Sequence, residues 1–85
     1  MKRLEFVKGK VLVSAAGHDK GDLLAVTGFD GKRVFLTDGK HHGLEKPKAK
    51  NPKHVRETQY VLSEHSMATN RSIRKQLNKI ANPGG

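Results

Sequence analysis

The sequence contains no cysteine and no tryptophan, and its aromatic side chains are limited to three phenylalanines and one tyrosine. Without cysteine the chain forms neither a disulfide nor a metal site with thiolate ligands, and the lack of disulfides agrees with a reducing cytosol. Only 34% of its 85 residues are hydrophobic, and a chain of this size buries little more than about 60% of its unfolded surface. We therefore expect one small domain, and we do not expect a layered enzyme fold with a deep pocket.

Long apolar stretches are missing as well. No run approaches the roughly 20 residues that cross a bilayer. The opening residues, MKRLEFVKGK, lack the apolar region of a signal peptide. We therefore expect a cytoplasmic protein without a membrane-spanning segment.

Acidic residues are few compared with basic ones. Eight Asp and Glu face 17 Lys and Arg, which gives a formal net charge of +9. Such an excess repels itself unless a polyanion neutralises it, and nucleic acid is the commonest polyanionic partner. An anionic membrane surface fits less well, because it usually requires an amphipathic helix with large exposed apolar residues. The charge therefore predicts a nucleic-acid-binding protein.

Three β-rich runs dominate the first half of the chain. Residues 10–14 and 23–27 flank a glycine-containing turn at 17–21, which is the pattern of a β-hairpin. Asp19 is expected to hold this turn by bonding its own backbone, and Lys20 lies at its tip. A third run at 33–37 lies between two Asp-Gly pairs, which are strong turn signals. The pattern predicts an antiparallel meander that closes into a barrel or sandwich.

Residues 40–56 are strongly basic. Six Lys and Arg accompany a single acid, Glu45, and two prolines exclude a continuous helix. We expect a fourth strand at 41–44, a basic loop at 46–53 and a last strand at 55–62. Alternate lysines in this loop can project along an extended backbone and meet an RNA groove.

The C-terminal part has the pattern of a helix. Ile73, Leu77 and Ile80 share one apolar face, and Thr69 or Asn70 is a suitable N-cap. The other faces carry four basic residues and no acid, so these cations have no carboxylate on their own helix to pair with. We expect a barrel over residues 1–62, which includes the basic loop at 40–56, and a basic helix and tail over 63–85.

The stretch from Gly9 to Gly28 resembles the KOW motif, which is a strand, a loop with a fixed glycine and a second strand. The matching residues are Gly9, Val11, Ser14-Ala15-Ala16-Gly17, Asp19-Lys20-Gly21, Val26 and Gly28, with Gly17 at the position of the fixed glycine. Residues 37–40, 44–48, 53–55 and 69–77 extend the resemblance to small bacterial KOW-domain proteins. Those proteins are similar to archaeal and eukaryotic large-subunit ribosomal proteins of the fourteen-e, six-e and twenty-seven-e group.

The resemblance implies an SH3-like barrel and a protein without enzymatic activity. With the helix that the periodicity predicts, we expect a mainly β fold, an SH3-like barrel with a C-terminal helix, and no cofactor or metal. The resemblance also implies ribosomal RNA as the ligand. We expect a monomer that binds ribosomal RNA or the large ribosomal subunit, with ribosomal proteins as possible further contacts. The predicted RNA contacts are Gly17, His18 and Lys20 of the hairpin loop; Lys40, His41, His42, Lys46, Lys48, Lys50 and Lys53 of the basic segment; and Arg71, Arg74, Lys75 and Lys79 of the helix. His18 departs from the family, which often has Arg or another polar residue there.

Other interpretations remain open at this stage. SH3-like barrels also dock on proteins, so an interaction module of a transcription or translation factor is the main alternative. The spacing of the five histidines matches no zinc motif. The string 63–66, Ser-Glu-His-Ser, allows a hydrolase hypothesis, but catalytic triads are assembled in space and adjacency in sequence carries little weight.

Overall fold

A computed structural model describes residues 6–83. Its strands are Lys10–Ser14 (β1), Leu23–Phe29 (β2), Val34–Thr37 (β3), Lys48–Lys50 (β4) and Val55–Val61 (β5), and its helix is Asn70–Ala81 (α1). Single 3-10 turns at Pro52–His54 and Ser66–Ala68 precede β5 and α1. The chain is thus mainly β, with one C-terminal helix.

The five strands form one antiparallel sheet in the order β4-β3-β2-β1-β5. If the sheet were flat, four strand spacings of about 4.8 Å would put β4 and β5 about 19 Å apart. The connection between these edge strands has four residues, and its five Cα steps span at most about 18 Å, which the 3-10 turn shortens further. The sheet therefore curls strongly, so that its two edges approach each other.

Side-chain alternation divides the core into two layers. Successive residues of a strand point to opposite faces. Leu12 and Leu24 accordingly lie on the inner face of the curl, in a buried cluster with Val26, Val34, Leu36 and Val55. Val11 and Ala25 lie on the outer face, in a second cluster with Leu62, Met67, Ile73 and Leu77. Both faces of β1 and β2 are covered, which explains their nearly continuous apolar sequence.

The predicted helix is confirmed. Its N-cap is Thr69, whose Oγ1 accepts a hydrogen bond from the Ser72 N–H at 3.1 Å. Ile73 and Leu77 are buried against the sheet and Ile80 is half-buried. The four basic residues Arg71, Arg74, Lys75 and Lys79 are exposed, as their positions on the opposite faces predict.

The fourth strand was predicted at 41–44, and this prediction is wrong. Residues 38–42 form a turn instead, in which Asp38 Oδ1 accepts the N–H groups of Lys40 and His42, both at 2.9 Å. The strand that pairs with β3 is Lys48–Lys50, inside the segment predicted as a basic loop. Lysines are common on edge strands, where they oppose pairing with other chains, and β4 is an edge of this sheet.

Candidate nucleic-acid interface

The β1–β2 loop, residues 15–22, is tightly organised. Gly17 has φ +87°, a backbone conformation that glycine adopts without steric cost. The side chain of Asp19 was expected to bond its own backbone, but it contacts Ser14, Lys48 and Lys50 instead. Its Oδ1 lies 2.8 Å from the Ser14 hydroxyl at the end of β1. The loop is therefore fixed to the strand below it, with His18 and Lys20 exposed.

Two lysines of β4 reach the same carboxylate. Lys50 Nζ donates to Asp19 Oδ1 at 2.8 Å, and Lys48 Nζ donates to Asp19 Oδ2 at 3.1 Å. The register explains this, because Lys48 and Lys50 pair with Leu36 and Val34 and so share the inner face of the curl. The Lys50 side chain is only 8% exposed. Lys50 therefore does not project into solvent as the alternation predicts, and Lys48 is half-buried and partly neutralised.

The Asp19 carboxylate remains charged although it is enclosed. Burial by itself would raise the pKa of Asp19, but the hydrogen bonds from Lys50, Ser14 and Lys48 outweigh it and hold the pKa far below its ordinary value. The interaction joins the edge strand β4 to the β1–β2 loop and so closes one end of the curled sheet.

The β3–β4 loop, residues 38–47, is fixed against α1. The Asn70 side chain accepts the Leu44 N–H at 2.7 Å and donates to Glu45 Oε2 at 3.0 Å. Gly39 lies very close to the helix. A Cβ atom at this position would collide with the Asn70 carbonyl oxygen and would lie 2.9 Å from the backbone nitrogen of Arg74. The loop that carries Lys40 and His41 is thus held beside Arg74.

Three adjoining depressions form a continuous surface that we call the trough. The first, the helix groove, has a volume of about 290 Å³ and lies between α1, the end of the β1–β2 loop and the start of the β3–β4 loop. It shares Asp22, Asp38 and His41 with the second depression. The second shares His41, His42 and Lys48 with the third, which extends along the β3–β4 loop to Lys46.

The trough gathers half of the predicted RNA contacts. These are His18, Lys40, His41, His42, Lys46, Lys48 and Arg74. The other exposed predicted contacts, Gly17, Lys20, Lys53, Arg71, Lys75 and Lys79, do not line it. Lys79 is turned about 140° from Arg74 around the helix axis, on another flank of α1.

The acids of the trough are mostly engaged. Asp19 is held by two lysines, and Glu45 accepts from Asn70. Burial by itself would raise the pKa of Asp38, but hydrogen bonds from the backbone N–H groups of His42 and Lys40 lower it by a larger amount. The pKa of Asp38 therefore lies below its ordinary value. Among the acids that line the trough, as residues 6–83 are described, Asp22 alone has an exposed carboxylate that no ion pair or side-chain hydrogen bond engages.

Sequence reasoning missed Asp22, Asn70 and Asn78. Asn70 was considered only as an N-cap, whereas its side chain connects the β3–β4 loop to the helix. The helical spacing of Arg74 and Asn78 would have placed both on one flank of α1, but no local signal shows which loop lies beside that flank.

The described residues contain no group of three or more His, Asp or Glu side chains arranged to hold a metal ion. Within the same part of the chain, no helix has the length and apolar character needed to cross a membrane. Neither the comparison with known protein families nor the comparison with curated proteins found a match to this chain.

Proposed function

We propose that this protein binds structured RNA without catalysing a reaction, and that its target is ribosomal RNA, free or within the ribosome. The observation that carries the proposal is the convergence of exposed cations from separate segments on one trough. Lys40 and Lys46 come from the β3–β4 loop, and Arg74 comes from α1. These three are exposed, and none forms an ion pair with a described acid.

The proposed contacts are chiefly with phosphates. Basic side chains at fixed spacing neutralise the RNA backbone and release counterions, which makes the affinity depend on salt. Arg74 suits a phosphate better than a lysine does, since a guanidinium can donate two parallel hydrogen bonds. The scarcity of aromatic residues on the trough favours structured RNA, recognised by backbone and shape, over serial stacking of single-stranded bases.

The proposal includes an SH3-like barrel of the KOW type, in a cytoplasmic protein associated with the ribosome. Its support is the sequence resemblance, the strong curl of the five-stranded sheet and the left-handed conformation of Gly17 at the position of the fixed glycine. Lys20, at the exposed tip of that loop, is the further phosphate contact that the resemblance implies.

The experiment compares two triple variants of equal charge. Lys40, Lys46 and Arg74 are replaced by Gln in one protein, and Lys32, Lys53 and Lys79, which are exposed outside the trough, in the other. Binding to a folded ribosomal RNA fragment is measured by fluorescence anisotropy. We expect the first triple to lose at least tenfold in affinity and the second to lose much less. Equal losses would show that only net charge matters, and would overturn the assignment of the trough.

A second candidate function is docking on a protein, such as a polymerase or a ribosomal protein. Exposed apolar side chains at the other end of the sheet favour it. Val7, Phe29, Tyr60 and Val61 are exposed near the start of β1 and the ends of β2 and β5, and Phe6 packs on Phe29 with ring centroids 4.8 Å apart. A partner bound there would be released by Phe29→Ser and Tyr60→Ser together, and would be unaffected by the trough triple.

A further inference from the structure

The helix groove is chemically unlike a phosphate site. Leu23, Leu77 and Ala81 provide an apolar wall, and two carboxylates, Asp22 and Asp38, lie on the same surface. A phosphate would be repelled by both carboxylates and would gain nothing from the apolar wall. A planar group with apolar faces and a polar edge matches this combination.

The helix groove presents both hydrogen-bond acceptors and hydrogen-bond donors. Asp22 offers two free acceptor oxygens, because its carboxylate is exposed and unengaged within the described residues. Asp38 already uses Oδ1 for the loop backbone, and its Oδ2 lies 3.5 Å from His41 Nδ1. Donors on the same groove are Lys40, His41, Arg74 and Asn78.

Resting on the proposed RNA binding, we infer that the helix groove receives one unpaired base of that RNA and selects guanine through Asp22. A carboxylate forms two parallel hydrogen bonds only where two N–H donors lie side by side. Of the four RNA bases, guanine alone has such a pair, N1–H beside the N2 amino group. Its O6 and N7 are acceptors for His41 and Asn78, the donors of the groove that are not assigned to phosphates. Unpaired bases are the usual place where proteins read RNA sequence.

The groove is large enough to hold a single nucleobase. Its volume of about 290 Å³ is at the lower limit of small-molecule pockets, which hold about 300–1,000 Å³. The groove joins the rest of the trough through Asp38 and His41. A base inserted beside α1 therefore leaves its own backbone next to the exposed cations Lys40 and Arg74.

The test uses RNA hairpins of one stem sequence that carry a single bulged nucleotide, either G, A, C, U or inosine. Affinities are measured for the wild type, for Asp22→Asn and for Glu64→Gln. Glu64 is an exposed acid outside the trough, so the last variant removes the same charge without touching the groove.

We expect the wild type to bind the G bulge about tenfold more tightly than the others, the discrimination of one good bidentate contact. Inosine, which lacks only the N2 amino group, should lose most of that preference. Asp22→Asn should remove the preference for G, while Glu64→Gln should keep it and tighten all five complexes slightly.

Two results would overturn the inference. One is equal binding of the five bulges by the wild type. The other is an Asp22→Asn variant that binds all five more tightly and in the same ratios, which would show that Asp22 only opposes phosphate. If salt-dependent binding persists in either case, the proposed RNA-binding function survives. If no hairpin binds even at low salt, that function fails as well.

Discussion

Lys50 Nζ lies 2.8 Å from Asp19 Oδ1, although 31 positions separate the two residues in the sequence. Their side chains are 8% and 11% exposed, respectively. Lys50 Nζ also donates to the Ala16 carbonyl oxygen at 2.8 Å, so the ammonium group binds the β1–β2 loop at two points. This ion pair connects the edge strand to the loop on the far side of the curled sheet. A cation that the sequence assigns to RNA is thus part of the structural framework.

The first prediction concerns stability. Asp19→Ala leaves the buried ammonium of Lys50 without its charged partner, and we expect a loss of about 3 kcal/mol in the free energy of unfolding. This loss is measured by urea denaturation, with the unfolding monitored by circular dichroism. Asp22→Ala is the control, because Asp22 is exposed and unengaged, and its effect should stay within about 0.5 kcal/mol. Similar values for both variants would contradict the structural role of Asp19.

The second prediction concerns pH. The pKa of Asp19 is lower in the folded protein than its ordinary value of 3.8, so the unfolded chain takes up this proton first as pH falls. The contribution of Asp19 to stability is therefore complete above about pH 5. It declines as the pH falls below 3.8 toward the lower pKa of the folded state.

Urea denaturation at pH 7 and at pH 3 checks this dependence. The stability difference between the wild type and Asp19→Asn should be smaller at pH 3 than at pH 7. A difference that is the same at both pH values would show that the folded state does not lower the pKa of Asp19.

The third prediction separates two lysines of the basic segment. Lys50→Met removes a buried partner of Asp19, so we expect lower stability and an unchanged affinity of the folded protein for RNA. Lys46 is exposed on the trough, so Lys46→Met should lower the affinity several-fold at low salt and leave the unfolding midpoint unchanged. Denaturation and anisotropy on both variants check the pair, and the reverse pattern would contradict the assignment of Lys46 and Lys50.

The fourth prediction tests the attachment of the β3–β4 loop to the helix. Asn70→Ala removes the acceptor of the Leu44 N–H and the donor to Glu45. We expect a loss of about 1–2 kcal/mol and weaker RNA binding, because Lys40 and His41 are no longer held beside Arg74. The control is Asn82→Ala, whose side chain makes only a long bond of 3.5 Å to the Asn78 carbonyl oxygen. Unchanged RNA affinity in Asn70→Ala would show that the position of the loop does not matter.

The sequence alone predicts the local structure well where apolar periodicity is strong. Strands β1, β2, β3 and β5 and the helix lie where alternation, turn residues and the 3.6-residue period place them. Strand β4 escapes prediction because its Lys-Ala-Lys sequence has the composition of a solvated loop. Its strand structure is due to pairing with β3 and to the distant Asp19 carboxylate, neither of which leaves a local pattern.

The candidate site is predictable only in part. Net charge and clustering identify the basic segments, but they do not distinguish exposed cations such as Lys46 from buried ones such as Lys50. That distinction depends on the β3–β4 register, which puts Lys48 and Lys50 on the inner face. The free carboxylate of Asp22 becomes meaningful only when folding places it beside α1.

The salt dependence of RNA binding is the most direct test of the central claim. Affinity for a folded ribosomal RNA fragment is measured between low and moderate salt for the wild type and for the Lys40, Lys46 and Arg74 triple variant. We predict a steep linear fall of log affinity with log salt for the wild type, and a slope reduced by roughly 0.7–0.9 for each phosphate contact removed. Wild-type binding that is absent at low salt, or that does not change with salt, would contradict the account.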